Sequence, residues 1–276
     1  MAANGISPER HLSRAEAARL ESAVGTISAC RRALAAQPGG IFAALAGVAG
    51  AVADWQHYPP GDVYDPQSHA QYFYHAHPAG SRAVGEHGHF HTFLRAEGMP
   101  LGVAPLVLPE AALPGAVAPA PQAAPLKRGI RDEVSHLVAV AIDHRGDPIR
   151  LFTTNRWVTG ETWYRADDII SMLDRFALDS AGGPVLVNAW LGALVTLYRP
   201  QIASLLRARD QTIMNWRRKR RTNVFEDPRI EVTSSLEIDL DARLAAHPRA
   251  RGDDNGGPLR PRLPPMAEGS GEGRAR

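Results

Sequence analysis

A chain of 276 residues with 44% hydrophobic and 22% charged content holds enough apolar material for one sizeable core, which excludes a disordered or fibrous protein. A formal net charge of +2 exerts no strong global field, so neither nucleic acid nor an anionic membrane is an expected partner. Cys30 is the sole cysteine, which excludes an intrachain disulfide and a thiolate metal cluster and fits a cytoplasmic location.

Residues 1–12 read as a flexible N-terminus. Ser13 and Glu16 form a capping-box pair, and Leu20, Val24, Ile27 and Leu34 recur at helical spacing until Pro38-Gly39-Gly40 stops the helix. Residues 41–54 read as a second, Ala-rich helix. The apolar run within it is too short to cross a bilayer. An aromatic loop at 57–60 leads to a strand at 71–77, a break at Pro78-Ala79-Gly80 and a second strand at 87–94. Residues 102–126 carry six prolines among alanines and valines and read as a Pro/Ala-rich surface excursion. Residues 134–142 and 149–154 form a second hairpin about Asp143-His144-Arg145-Gly146-Asp147. Helices are expected at 167–178, at 185–198 and from Pro200 to about Arg218, followed by a closing strand at 230–240. From His247 the chain is rich in Gly, Pro and Arg, and 247–276 reads as a disordered tail. The expectation is a single α+β domain over 13–246. It has a mainly antiparallel sheet of two β-hairpins plus a C-terminal strand, packed by about five helices.

Function is carried by the histidines. Seven of the eleven fall between His57 and His91, in the alternating runs His75-Ala76-His77 and His87-Gly88-His89-Phe90-His91. Alternate side chains of a strand share a face, so each run aims its imidazoles one way. Imidazole is the commonest metal ligand among side chains. One antiparallel register sets His75 opposite His89 and His77 opposite His87, with His91 one step further along. Opposed Cβ atoms about 4.5–5.5 Å apart let two imidazoles reach one ion at about 2.0–2.1 Å. A slip of one residue would turn one set away from the other. The expected cofactor is a divalent metal ion, zinc or iron, on His75, His77, His87, His89 and His91. Four protein ligands would suit a structural or sensory role. Three would leave the open position that catalysis on a small-molecule substrate requires. A polar histidine cluster without metal and a solvated face are the alternatives.

Other residues are weighed beside these. Glu86 reads as a second layer of support or as a loop residue, Asp62 and Asp65 as turn formers, and His57 and His69 as outlying candidates. His136 shares strand parity with Val134, Val138 and Val140 and reads as a core histidine, while His144 sits in a turn. In the aperiodic stretch 153–163, Arg156 and Glu161 are candidate catalytic residues, able to bind a carboxylate and exchange a proton. The alternative is that Arg156 ties the loop to a carboxylate or the backbone. The basic run 217–221 reads as a solvated helix end at the negative dipole pole, or as the contact of an interaction module. Cys30 reads as a packing residue.

Three resemblances follow from these residues. His87-Gly88-His89-Phe90-His91-Thr92-Phe93 looks like the histidine-triad motif of nucleotide hydrolases over seven residues, with Gly88 and Thr92 departing from its hydrophobic positions. Gly80, His87, His89 and Glu97 look like the first metal motif of cupins, with different spacing and no second motif. The stretch from Asp54 to Asp62, the Tyr-His-Ala-His run, residues 86–94 and residues 151–163 together resemble an uncharacterised bacterial family of unknown function over about residues 10–240. That resemblance implies a single domain and supplies no activity.

Overall fold

The computed structural model describes residues 13–47, 51–106, 134–219 and 223–247. The expectations for residues 1–12, for most of the 102–126 excursion, for the last two cations of the 217–221 run and for the tail beyond His247 lie outside the described residues. The fold is α+β. One open antiparallel sheet runs in simple sequence order through β1 (Tyr58–Tyr64), β2 (Ala70–His75), β3 (Gly88–Arg95), β4 (Val134–Ile142), β5 (Pro148–Thr154) and β6 (Val232–Glu237). The helices are α1 (Arg14–Ala35), α2 (Gly40–Ala46), α3 (Arg156–Thr159), α4 (Ala166–Met172), α5 (Val185–Leu197), α6 (Arg199–Lys219) and α7 (Leu240–Ala245). Among the described residues no helix is long and apolar enough to cross a membrane.

Two differences from the expected elements have local causes. Among the described residues seven helices replace about five, because short polar caps nucleate single turns in stretches without helical period. The Asn155 side chain accepts from the Arg156 amide ahead of α3, and that of Asp239 accepts from the Ala242 amide at 2.8 Å ahead of α7. The proline-rich loop after His57 is instead an edge strand, where Pro59 and Pro60 lack N–H groups that a central strand would need. The capping box forms as expected, with Ser13 and Glu16 exchanging bonds of 3.2 and 2.8 Å.

Alternation along β2 and β3 divides the sheet into two chemically different faces. Tyr72, Tyr74, Phe90 and Leu94 point toward the helices and are fully buried. The Tyr72 hydroxyl donates to Asn188 Oδ1 on α5 at 2.7 Å, and the Phe90 ring lies 5.7 Å from Trp190 on the same helix. α1 lies along α5. The opposite face carries Phe73, His75, His89, His91 and Phe93, continued by Ala139, Ala141 and Phe152 on β4 and β5. Burying each large apolar side chain on the helix face contributes about 1.5–3 kcal/mol. The packing that holds the sheet therefore also fixes which way the imidazoles point.

A β-bulge alters one further position. Thr92 pairs with Val138, yet Phe93 pairs with His136, so Leu137 is the extra residue. Leu137 and Val138 both enter the helix-side core. Beyond the bulge the parity of β4 is inverted, and His136 joins the histidine face in place of the core side shared by Val138 and Val140. Strict alternation misplaces it for this reason.

Gly88 opens β3 against the β2 backbone. A Cβ there would collide with the His75 carbonyl and the Tyr74 hydroxyl. Gly88→Ala is expected to cost about 1–3 kcal/mol by overpacking, seen as a lower urea midpoint with an unchanged slope.

Candidate metal centre

The β2–β3 ladder makes His75 and His89 direct partners, as the alternating pattern predicts. Their Nε2 atoms stand 2.8 Å apart. His91, two residues along β3, brings a third imidazole to the same place. One ligand atom from each of His75, His89 and His91 lies within 4.8 Å of the others, a grouping that could hold a metal ion. Two nitrogens bound at about 2.0–2.1 Å in tetrahedral geometry sit about 3.3–3.4 Å apart, so the His75–His89 pair needs to open by only about half an ångström. His89 and His91 are buried and His75 is partly exposed, which leaves one side of the group open.

The far nitrogens of the two β3 histidines are also engaged. His89 Nδ1 meets Glu86 Oε1 at 2.6 Å, and the other oxygen of Glu86 is ion-paired with Arg150. The guanidinium of Arg150 lies over the Phe152 ring at 4.5 Å, so the carboxylate cannot easily turn away. An anionic Glu86 holds a proton on His89 Nδ1 and leaves Nε2 facing His75. A carboxylate behind a histidine in this way fixes ring orientation and tautomer for a metal. Burial works to raise Glu86. The bond and charge of His89, then those of Arg150, outweigh it and hold the carboxyl below its ordinary value. His91 Nδ1 lies 3.1 Å from His136 Nε2, so His91 has a comparable partner, supplied by the bulge.

Electrostatics keep His75, His91 and His136 neutral, the form that binds metal. Burial, then repulsion from His89 and His77, pushes His75 down to about 3. Burial, then His89 and His136, holds His91 well below the usual imidazole value. Burial and the Arg209 guanidinium push His136 down to about 3.

The other expected ligands are placed differently. His77 lies just past the end of β2, its ring 4.8 Å from His75 and 5.1 Å from His89, at the edge of the group. His87 stands apart. Ladder pairing ends at Gly88, so strand alternation no longer governs it, and its Nδ1 meets the Tyr74 hydroxyl at 2.5 Å on the helix side, beside Phe42 of α2. His57 stacks on Phe73 at 3.7 Å and touches His75 edge-on, while His69 is bonded to Tyr64. Asp65 accepts three backbone amides, from Gln67, Ser68 and Ser180, and so acts as a turn former.

Arg156 and Glu161 lie off this group. The Arg156 guanidinium is ion-paired with Glu226 and bonded to the Glu161 carbonyl, an arrangement that ties the loop. Glu161 is buried, with Oε2 accepting the His136 amide at 2.9 Å and Oε1 without a partner among the described residues. Burial pushes its carboxyl up to about 7 against the opposing pull of Arg209 and the His136 amide. The sequence favours His136 as a core histidine over a ligand, and the bulge that puts it beside His91 leaves no trace in the hydrophobic pattern.

Fold and site together define an α+β protein with a three-histidine group on the face of an antiparallel sheet opposite Tyr72, Tyr74 and Phe90. The chain belongs to the family described as a domain of unknown function, DUF6969, whose model matches residues 21–238. No curated protein and no solved structure matches it.

Three outcomes follow. Glu86→Gln keeps an acceptor for His89 but loses its charge, so zinc affinity should fall about ten-fold, measured by competition with a chelator. The stability of the metal-free protein should rise with pH between about 4.5 and 6.5, because His75 and His136 bind protons there only when unfolded. Glu161 has the opposite sign, holding an extra proton when folded between its ordinary value and about 7. Glu161→Gln should therefore steepen the rise by up to about 1.4 kcal/mol per pH unit, read from urea midpoints across that window.

Proposed function

We propose that this protein binds one divalent metal ion, zinc or iron, on His75, His89 and His91 and uses the remaining coordination position for catalysis on a small molecule. The observation that carries this reading is the chain Arg150–Glu86–His89, a buried charge relay that orients one imidazole toward two others. Burying Glu86 has a desolvation cost, and its bonds to His89 and Arg150 offset that cost while fixing the orientation of the ring. The residual exposure of His75 supports access from solvent. A zinc ion there would activate water, and an iron ion would supply redox chemistry. In this reading Arg156 holds its loop through Glu226, and Glu161 supports β4 beneath His136.

A second reading, a closed non-catalytic centre, is favoured by the nearness of His77, which could complete four ligands. Metal content by elemental mass spectrometry on tag-free protein tests both. Near-stoichiometric zinc or iron in the wild type, lost in a His75→Ala/His89→Ala double variant, is the expected result. Metal retained by His77→Ala supports the open centre, and metal lost from it supports the closed one. A wild type still empty after anaerobic reconstitution with iron and zinc overturns the metal reading.

A further inference from the structure

The segment leading into β1 ends in a tryptophan that packing alone does not account for. Trp55 is 60% exposed, yet its indole stacks on His77 at 4.4 Å with 29° between the planes. Its backbone is left-handed, with φ +65°. A bulky L-residue occupies that region at a cost, and such strain persists only where the surroundings over-determine it. The surroundings here do so. The Trp55 amide donates to the Ala76 carbonyl at 2.8 Å, Asp54 bridges to Ala76, and Arg82 joins Asp54 at 2.9 Å while bonding the His77 carbonyl. The arm that carries Trp55 and the turn that carries His77 are thus one fixed unit.

The same arm carries a second flat surface. The His57 ring lies parallel on Phe73, within 7° and at 3.7 Å, and is held from its other side by Asp62 at 3.0 Å. It meets His75 edge-on at 5.8 Å and keeps 44% of its side chain exposed. Two exposed π surfaces from one rigid arm therefore border the partly exposed side of the three-histidine group. The stack on His77 covers one face of the indole, and the rest of the ring stands in water. A planar ligand laid against it recovers that surface, since stacked aromatic pairs attract beyond the area they bury.

We infer that the centre takes a ligand bearing an aryl ring and an oxygen donor, the donor completing the metal's coordination and the ring lying on Trp55. This rests on the metal reading above. The test uses the full chain loaded with Co(II), whose visible absorption changes when the open position is filled. Acetohydroxamate, benzohydroxamate and 3-phenylpropionohydroxamate are titrated against the wild type, Trp55→Phe and Trp55→Gly, glycine being suited to the positive φ. The better aryl ligand should bind the wild type about ten-fold or more tightly than acetohydroxamate. That margin should persist in Trp55→Phe and shrink below about three-fold in Trp55→Gly, with cobalt content and acetohydroxamate affinity unchanged. Equal binding of aryl and methyl ligands, or a margin that survives in Trp55→Gly, overturns the inference and leaves the metal centre standing. A wild type that takes up no cobalt overturns both.

Discussion

The register between β2 and β3 is the constraint from which the rest follows. In an antiparallel pair a shift of one residue exchanges the two faces of a strand. Here Tyr72, Tyr74 and Phe90 must reach the helices, and the hydroxyl of Tyr72 must reach Asn188. Any slip would bury imidazoles among leucines and expose three aromatic rings. The hydrophobic effect, which has no preference for metals, thereby sets His75 against His89 and aims His91 beside them. Site chemistry is a by-product of core chemistry in this hairpin, and the two cannot be varied independently.

Concentrating imidazoles on a buried face has an electrostatic consequence that the fold answers locally. A protonated ring there would meet like charges in a medium that screens poorly. The rings of His75, His91 and His136 are accordingly held neutral, and Glu86, the carboxylate that meets His89, is anchored on its far side by Arg150. The arrangement leaves negative charge behind the His89 ring and neutral imidazoles beside it, the polarity a cation would find favourable.

Much of this was legible from sequence where period-two patterning operates without interruption. The strands of both hairpins and the closing strand follow from alternating residues and the breaks between them, and one of the registers they allow pairs His75 with His89. Legibility fails wherever the alternation is broken. His87 lies one residue outside the ladder and turns to Tyr74, while His136 lies beyond a bulge created by the extra Leu137. The edge strand β1 was hidden by its prolines, and α3 and α7 by their shortness, because a single turn has no period to detect. Arg156 illustrates a different limit. A charged pair in an aperiodic loop reads equally as catalysis or as a tie, and the sequence carries no sign of Glu226, seventy residues away, with which Arg156 is ion-paired.

The three histidines also lie close together in the chain, with His75 and His89 fourteen residues apart. Closing a loop of that length costs little entropy, and hairpins form within microseconds. The ligand set can therefore assemble before the helices that close the core, from residues that an unfolded chain already holds near one another. A cation could be captured by a nascent hairpin as well as by the finished sheet. Whatever free energy such an ion contributes is then shared between folded and unfolded ensembles. The melting temperature would respond to it less than its affinity suggests.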